Sequence, residues 1–296
     1  MSKGAPTLED ARTALRAAFG YDGFRAGQEM AIESVLEGRD TLVVLPTGGG
    51  KSVCYQIPAL ILPGLTVVVS PLISLMKDQV DALEARNLPA TFINSTLTSA
   101  QVSDRLARAA RGEIRLLYLA PERFDFGNVA ERLAGIGVSL LAIDEAHCIS
   151  QWGHDFRPSY LRVAEARTKL GSPPTVALTA TATPEVRDDI CRQLALVNPR
   201  TIITGFDRTN LTYHVLPARN DAEKDTLLVE TLKKHDGLAV VYAATRKSVD
   251  RLSFLLEQEG IASAGYHAGL DDGHRREVQE AFMTERIRAI IATNAF

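Results

Sequence analysis

Short runs of β-branched and other apolar residues alternate with amphipathic stretches along this chain, and this alternation constrains the fold most strongly. The runs are TLVVL (41–45), LTVVVS (65–70), ATFIN (90–94), IRLLYL (114–119), VSLLAID (138–144) and TVALTA (175–180). Amphipathic stretches such as 72–85 and 98–111 lie between them. Strands that are nearly all apolar and are separated by helices form parallel sheets covered on both faces. The sequence therefore predicts a doubly wound α/β fold.

Two further features complete the predicted organisation. Before the first strand, one helix is predicted from a capping-box-like start at Thr7 and another over about 26–36. After the first series, a second series has predicted strands at 211–216, 238–244, 261–267 and 287–293. The segment GFDRTN (205–210) has few apolar residues and separates the two series. We therefore predict two domains, residues 1–205 and residues 206–296.

The second domain is expected to be incomplete at its C-terminus. A strand of a parallel sheet leads into a loop and a helix, but the last predicted strand is followed by three residues only. An uncovered strand edge and apolar face favour association, so self-association is a further expectation.

Composition excludes several classes of protein. With 46% hydrophobic and 23% charged residues, the chain is a folded globular protein without a run of about 20 apolar residues, so no membrane contact is expected. Cys54, Cys148 and Cys191 are too widely spaced for a disulfide framework or a structural zinc, which indicates a reducing, cytoplasmic compartment. The net charge of −3 means that any contact with nucleic acid must be local.

The segment LPTGGGKS (45–52) joins a predicted strand to a predicted helix and has the residues of a phosphate-binding loop. Its glycines let backbone amides turn toward a phosphate, and the helix adds its positive N-terminal end. Lys51 is predicted to reach the β and γ phosphates of ATP, and the Ser52 hydroxyl to bind Mg²⁺. The alternative is a plain glycine turn, since the general pattern has glycine at the position of Leu45. The nucleotide-binding residues predicted here are Thr47, Gly48, Gly49, Gly50, Lys51 and Ser52.

Two adjacent acids follow the predicted strand 138–144. Asp144 is predicted to hold Mg²⁺, and Glu145 to orient and deprotonate the attacking water. The alternative, an acidic helix start after a strand, is common for such a pair alone. The glycine-rich loop upstream makes a phosphoryl-transfer site the better interpretation.

These residues resemble motifs I and II of superfamily 2 helicases, in which the first glycine of the loop is often absent. FGYDGFRAGQ (19–28) resembles the adenine-recognition segment of the RecQ family, and CISQWGHDFRPSY (148–160) resembles its aromatic-rich loop. Matching segments continue in family order at 69–80, 118–123, 177–184, 206–211, 240–252 and 266–270. The resemblance therefore implies two RecA-like domains of the P-loop NTPase type, with the chain ending inside the segment that resembles motif V.

The resemblance also implies roles for individual residues. Tyr21 is expected to stack on adenine, Arg25 to contact the nucleotide, and Gln28 to hydrogen-bond the base edge. The residues expected to bind DNA or to couple it to hydrolysis are Ser70, His147, Gln151, Trp152, His154, Phe156, Arg157, Thr179 and Thr181. Core packing of Trp152 and Phe156 stays open as an alternative, as do a plain helix start at Ser70 and strand-end hydroxyls at Thr179 and Thr181.

By the same resemblance, the chain is the motor of an ATP- and Mg²⁺-dependent DNA helicase that moves 3′ to 5′ on single-stranded DNA. Partly duplex DNA is the implied substrate, repair and recombination the implied processes, and a nucleoid location the expectation in a bacterium. The family's arginine finger lies in motif VI, so weak hydrolysis by these residues alone is expected. An RNA helicase of the DEAH type, or a module that binds nucleotide or DNA without turnover, remains an alternative.

Overall fold

A computed structural model describes residues 5–126, 128–153, 155–205 and 211–293. The chain divides into two compact units, Met1–Arg208 and Thr209–Phe296. The domain boundary expected between residues 205 and 206 stays a prediction, because residues 206–210 lie outside the described part of the chain.

The first unit is built on a parallel sheet. Its strands are β1 (Thr41–Val44), β2 (Leu65–Val69), β3 (Ala90–Ile93), β4 (Leu116–Leu119), β5 (Val138–Ile143), β6 (Thr175–Thr179) and β7 (Arg200–Ile203). The strand order is β3-β4-β2-β5-β6-β1-β7, and every pairing is parallel. Because β6 lies between β1 and β5, the loops that follow these three strands meet at one edge of the sheet.

Helices cover this sheet on both faces. They are α1 (Leu8–Phe19), α2 (Gln28–Leu36), α3 (Val53–Ile61), α4 (Ile73–Glu84), α5 (Ser99–Ala110), α6 (Val129–Ile136), α7 (Leu161–Lys169) and α8 (Pro184–Gln193). Short 3₁₀ helices occupy Pro121–Asp125, Ala146–Ile149 and Pro158–Tyr160. Along β2, Val67 and Val69 pack into one buried cluster while Val68 packs into the other. Two cores, one on each face, confirm the predicted doubly wound α/β architecture.

The amino ends of β1 and β6 are fixed by one buried ion pair. Arg167 Nη2 donates to Asp40 Oδ2 at 2.7 Å, and both side chains are almost fully buried. The same carboxylate accepts hydrogen bonds from the backbone amides of Thr175 and Val197, at 2.9 and 2.8 Å. Such a carboxylate has its hydrogen-bonding capacity met, which is the condition for burying a charge.

The N-terminal helices form as predicted. Thr7 caps α1, its hydroxyl accepting from the Asp10 amide while the Asp10 carboxylate accepts from the Thr7 amide. The strand β7 is an addition that the sequence pattern did not indicate. It is short, and only one of its four residues is fully buried, so its apolar run is brief.

The second unit has a smaller parallel sheet. Its strands are β8 (Ala239–Tyr242), β9 (Ser263–Tyr266) and β10 (Ala289–Ala292), in the order β8-β10-β9. Its helices are α9 (Asp221–Lys234), α10 (Arg246–Gln258) and α11 (Asp272–Met283). Leu232, Val249 and Ile291 belong to its main buried cluster.

The strand predicted over 211–216 is wrong. These residues have no regular structure, and Tyr213 and Val215 are 87% and 94% exposed. Their apolar pattern suits a strand, but a strand also needs a neighbouring strand to pair with. None of the helices within the described ranges has the length and apolar character of a membrane span.

Candidate active site

The glycine-rich loop between β1 and α3 curls tightly against itself. Gly48 and Gly50 have φ angles of 80° and 74°, which lie in the left-handed region that residues with a side chain rarely adopt. At Gly49 an added Cβ would lie 2.8 Å from the Pro46 carbonyl oxygen. Lys51 Nζ lies 3.5 Å from the Leu45 carbonyl oxygen. Glycines at these positions therefore permit a backbone that other residues would distort.

Arg25 and Gln28, which precede β1 in sequence, hold this loop in place. The buried Gln28 amide donates from Nε2 to the carbonyl oxygens of Gly49 and Gly50, at 3.1 and 3.0 Å. Its Oε1 accepts from the Arg25 backbone amide at 2.8 Å, and Arg25 Nη1 donates to the Gly48 carbonyl oxygen at 2.6 Å. Sequence reasoning missed this role. The predicted contacts of both residues with the nucleotide stay predictions.

A cavity of about 330 Å³ opens beside the loop, lined by Tyr21, Arg25, Gln28 and Gly50 among others. The half-exposed Tyr21 ring stacks on Phe19, with ring centroids 6.2 Å apart and planes 14° from parallel. An aromatic face next to a polar amide suits a planar heterocycle. This arrangement is consistent with the predicted stacking of Tyr21 on adenine, which stays a prediction.

Asp144 follows β5 and is buried at the edge of the sheet. Its backbone is fixed by two hydrogen bonds, from its amide to the Val69 carbonyl and from the Tyr160 hydroxyl to its own carbonyl, both 2.9 Å. Burial, followed by the charge of Glu145, raises the pKa of Asp144 to about 6, against the lowering effect of Lys51. A cation bound at this carboxylate would offset the free-energy cost of burying its negative charge.

The oxygen donors here fit Mg²⁺. This ion takes carboxylate, hydroxyl and water oxygens, and a buried carboxylate with a raised pKa gains from a bound cation. Ser52 is the N-cap residue of α3 and supplies the hydroxyl of the predicted pair. Ser52 and Asp144 therefore remain the residues that would hold the ion.

Glu145 and His147 follow β5 and lie beside the end of β6. Glu145 has φ 47° and ψ 48°, a left-handed conformation that is rare for a residue with a side chain. His147 Nδ1 lies 3.0 Å from Thr179 Oγ1 and 3.3 Å from Glu145 Oε2. Thr179 Oγ1 in turn donates to the Thr181 carbonyl at 3.0 Å. Since the one hydroxyl proton is used there, we assign the shared proton to His147 Nδ1.

The aromatic-rich loop is anchored by Arg157. Its Nε and Nη2 donate to Asp155 Oδ2 at 3.0 and 2.8 Å, and its Nη1 donates to the Pro71 carbonyl at 2.9 Å. Burial, followed by the charge of Asp155, raises the pKa of the Cys148 thiol to about 12. The neutral thiol donates to Asp155 Oδ2 at 3.8 Å. Cys148 and Asp155 were not predicted as site residues, and their meeting depends on the loop conformation.

The aromatic side chains of this loop divide between solvent and core. Trp152 is 77% exposed, so it does not pack in a core, whereas Phe156 is half-buried and Gln151 is exposed. Tyr160 is fully buried under Asp144. His154 lies outside the described residues.

Ser70 is buried at the end of β2. Its amide donates to the Leu119 carbonyl at 3.1 Å, and its hydroxyl has no hydrogen-bond partner among the described residues. The predicted contact of Ser70 with a DNA phosphate stays a prediction.

One cleft of about 390 Å³ is lined by residues of the glycine-rich loop, of the segment after β5 and of the aromatic-rich loop. Its lining includes Thr47 of the glycine-rich loop, the catalytic candidate Glu145, and Asp155 and Arg157 of the aromatic-rich loop. His147 and Thr181 also line it. Residues predicted to bind nucleotide and residues predicted to bind DNA therefore line the same cleft, which no single sequence motif indicated.

Comparison with known proteins agrees with this geometry. The DEAD/DEAH box helicase family matches residues 25–190, and the helicase conserved C-terminal domain matches residues 223–296. ATP-dependent DNA helicase RecQ of Bacillus subtilis (strain 168) is 48% identical over 293 residues, covering 98% of this chain and 49% of that protein. The chain belongs to the RecQ family of DEAD/DEAH box helicases.

Other relatives of this RecQ-family chain extend to animals. The RecQ-like DNA helicase BLM of Xenopus laevis is 41% identical over 293 residues, covering 94% of this chain and 21% of that protein. This chain spans about half the length of the bacterial RecQ proteins that it matches.

Solved structures with a similar fold include distant helicases. Helicase Lhr of Mycobacterium smegmatis, bound to ssDNA and AMP-PNP, has a TM-score of 0.65 at 19% identity, covering 98% of this chain and 41% of that one. The S. cerevisiae protein dbp5 has a TM-score of 0.68 at 17% identity, covering 98% and 74%. They confirm the RecA-like fold of the RecQ-family chain.

Proposed function

We propose that this RecQ-family chain is the motor of an ATP-dependent DNA helicase. Its relatives named as ATP-dependent DNA helicases align over nearly all of its length. Hydrolysis would drive movement along single-stranded DNA in the 3′ to 5′ direction and separate duplex DNA during repair and recombination. The family membership and the shared cleft support this proposal.

Nucleotide binding falls to the glycine-rich loop. The amides around Gly48–Gly50 cradle the phosphates, and the Lys51 ammonium neutralises charge on the β and γ phosphates. Gln28 and Arg25 fix the conformation of this loop, so the amides need little reorganisation when ATP binds. The Tyr21 ring offers the adenine a face on which to stack.

Hydrolysis is assigned to Glu145. Its carboxylate accepts a proton from water, whose oxygen attacks the γ-phosphorus while the bond to the ADP oxygen breaks. When bound by Ser52 and Asp144, Mg²⁺ neutralises charge on the phosphate oxygens. His147 Nδ1 lies 3.3 Å from Glu145 Oε2, so the position of the Glu145 carboxylate is sensitive to whatever moves His147.

The observation that best supports the proposal concerns the coupling of DNA binding to hydrolysis. Glu145 and His147 share one cleft with Asp155 and Arg157 of the aromatic-rich loop. A base stacked on the exposed Trp152 would move this loop, and the movement would reach Glu145 through Cys148 and His147, which are adjacent in sequence. The same path explains why DNA would stimulate hydrolysis.

The experiment compares ATP turnover and ATP-analogue affinity of the purified chain with no nucleic acid, with single-stranded DNA and with single-stranded RNA. Lys51→Ala is the control for the phosphate site. We expect a DNA-dependent change in either quantity that Lys51→Ala abolishes and that RNA reproduces poorly. A larger response to RNA would favour a DEAH-type RNA helicase. Nucleotide binding that DNA leaves unchanged would contradict the motor and indicate a binding module.

A further inference from the structure

Three side chains of different chemistry converge at one wall of the cleft described above. His147 Nε2 lies 3.8 Å from Cys148 Sγ, and Cys148 Sγ lies 3.8 Å from Asp155 Oδ2. One ligand atom from each residue lies within 4.8 Å of the other two. All three residues line the cleft, where Asp155 is exposed and His147 and Cys148 are buried.

We propose that His147, Cys148 and Asp155 form a binding site for a thiophilic divalent cation of the zinc class. On binding, the Cys148 thiol, which is neutral in the free chain, releases its proton to solvent. Zinc binds the resulting thiolate sulfur at about 2.3 Å and imidazole nitrogen or carboxylate oxygen at about 2.0–2.2 Å. In tetrahedral geometry these bond lengths place neighbouring ligand atoms roughly 3.4–3.6 Å apart. The two contacts at 3.8 Å need to shorten by a few tenths of an ångström to meet this geometry. The separation of the His147 and Asp155 ligand atoms, which is within 4.8 Å, needs to shorten by up to about 1.4 Å, through movement of the exposed Asp155 side chain.

The orientation of the imidazole also suits a ligand. Metal-bound histidines generally donate their other ring N–H to an oxygen, which fixes the tautomer and the plane of the ring. Here His147 Nδ1 is placed against Thr179 Oγ1 and Glu145 Oε2. The proton assigned to Nδ1 leaves Nε2 as the basic nitrogen, and Nε2 is the atom directed at Cys148.

This site differs in kind from the predicted Mg²⁺ site and from a structural zinc. Mg²⁺ takes oxygen ligands, so a set with sulfur and nitrogen discriminates against it. A structural zinc is closed by four protein ligands, whereas three ligands at the edge of a cleft leave a position for water. The cysteine spacing that argued against a structural zinc therefore does not exclude this site.

A cation bound here would link the segment after β5 to the aromatic-rich loop. Asp155 now accepts two hydrogen bonds from Arg157, and metal binding would compete with them. The ion would then hold the loop and His147 in one fixed arrangement, so the loop movement that the proposed coupling requires could not occur. Inhibition of DNA-stimulated turnover is the consequence, and this consequence alone rests on the proposed helicase function.

Cobalt titration of the full 296-residue chain tests the site, with Mg²⁺ in excess. Co²⁺ replaces Zn²⁺ spectroscopically, because a cobalt–thiolate bond gives a charge-transfer absorption in the near ultraviolet. We expect this absorption to saturate at one equivalent and to disappear when Zn²⁺ is added. Co²⁺ should also quench the fluorescence of Trp152, the only tryptophan of the chain, three residues before Asp155.

Matched variants separate this site from other thiols. Cys148→Ser should abolish the absorption, and Cys191→Ser should retain it. Loss of an outer-shell partner weakens metal binding about 10–100-fold, so Asp155→Asn, which removes a direct ligand, should weaken it at least as much. Asp155 is exposed, so this variant tests the site even where Cys148→Ser is unstable. An unchanged absorption in Cys148→Ser, or none in the wild-type chain, would overturn the proposal, and neither result depends on helicase activity.

Discussion

Thr179 Oγ1 lies 3.0 Å from His147 Nδ1, so the end of β6 is hydrogen-bonded to the segment that carries Glu145. Thr179→Val removes the hydroxyl with little change in volume. We expect DNA-stimulated ATP turnover to fall about fivefold, because one hydrogen bond contributes about 1 kcal/mol. Thr179→Ser keeps the hydroxyl and should restore most of the rate. Equal rates in Thr179→Val and wild type would show that this bond does not position His147.

Gln28 is predicted to matter for both stability and nucleotide affinity. Gln28→Leu leaves the Gly49 and Gly50 carbonyls and the Arg25 amide without their partner. We expect the free energy of unfolding in urea to fall by about 1–3 kcal/mol, and the Kd of an ATP analogue to rise about tenfold. Glu29→Gln, the adjacent surface position, should change stability by at most about 1 kcal/mol. Similar values for the two variants would contradict the role of Gln28 in the loop.

The titration of Asp144 should make stability depend on pH. Burial raises its pKa from 3.8 to about 6, so between these values the folded state binds more protons than the unfolded state. The free energy of unfolding, measured in EDTA, should therefore fall as pH rises from about 4 to about 6, by up to roughly 3 kcal/mol from this group.

Asp144→Asn carries no charge and tests this assignment. At pH 7 it should be more stable than wild type by about 1–3 kcal/mol and should lose the pH dependence. The exposed Asp78→Asn variant should keep the wild-type curve. Asp144→Asn should also lose any stabilisation by Mg²⁺. A variant less stable than wild type at pH 7 would mean that the ionised carboxylate is well accommodated.

Trp152 is predicted to contribute to DNA binding without contributing to stability. Its side chain is 77% exposed, so Trp152→Ala should change the free energy of unfolding by at most about 0.5 kcal/mol. Stacking of a base is worth about 1–3 kcal/mol, so the affinity for single-stranded DNA, measured by fluorescence anisotropy, should fall about 5–150-fold. Trp152→Phe keeps a stacking face and should lose less. If Trp152→Ala binds single-stranded DNA as tightly as wild type, the DNA does not stack on Trp152.

The sequence predicted the strands of the first unit well, because each of its buried strands is a continuous apolar run. It did not predict the order of the strands, since that order depends on which helices cover which face. The error at 211–216 has a related cause. An apolar pattern indicates that a segment can form a strand, but a strand is stable only when a second strand pairs with it. The loop-holding role of Gln28 was missed for the same reason, as it depends on how α2 packs beside the glycine-rich loop.

Local motifs were easier to predict than contacts between them. Lys51, Asp144 and Glu145 could be predicted as site residues because the chemistry expected of them requires particular residue types next to a strand end. Cys148 and Asp155 lie seven positions apart in sequence, and no periodic pattern indicates that their side chains meet.

The buried pair of Asp40 and Arg167 has a mechanical consequence. It ties the amino ends of β1 and β6 together, while the glycine-rich loop and Thr179 follow the opposite ends of the same strands. With the amino ends fixed, we expect any relative movement of the two strands to occur mainly at their other ends. Displacements caused by a bound ligand would then fall mainly on the segments proposed to bind and hydrolyse ATP.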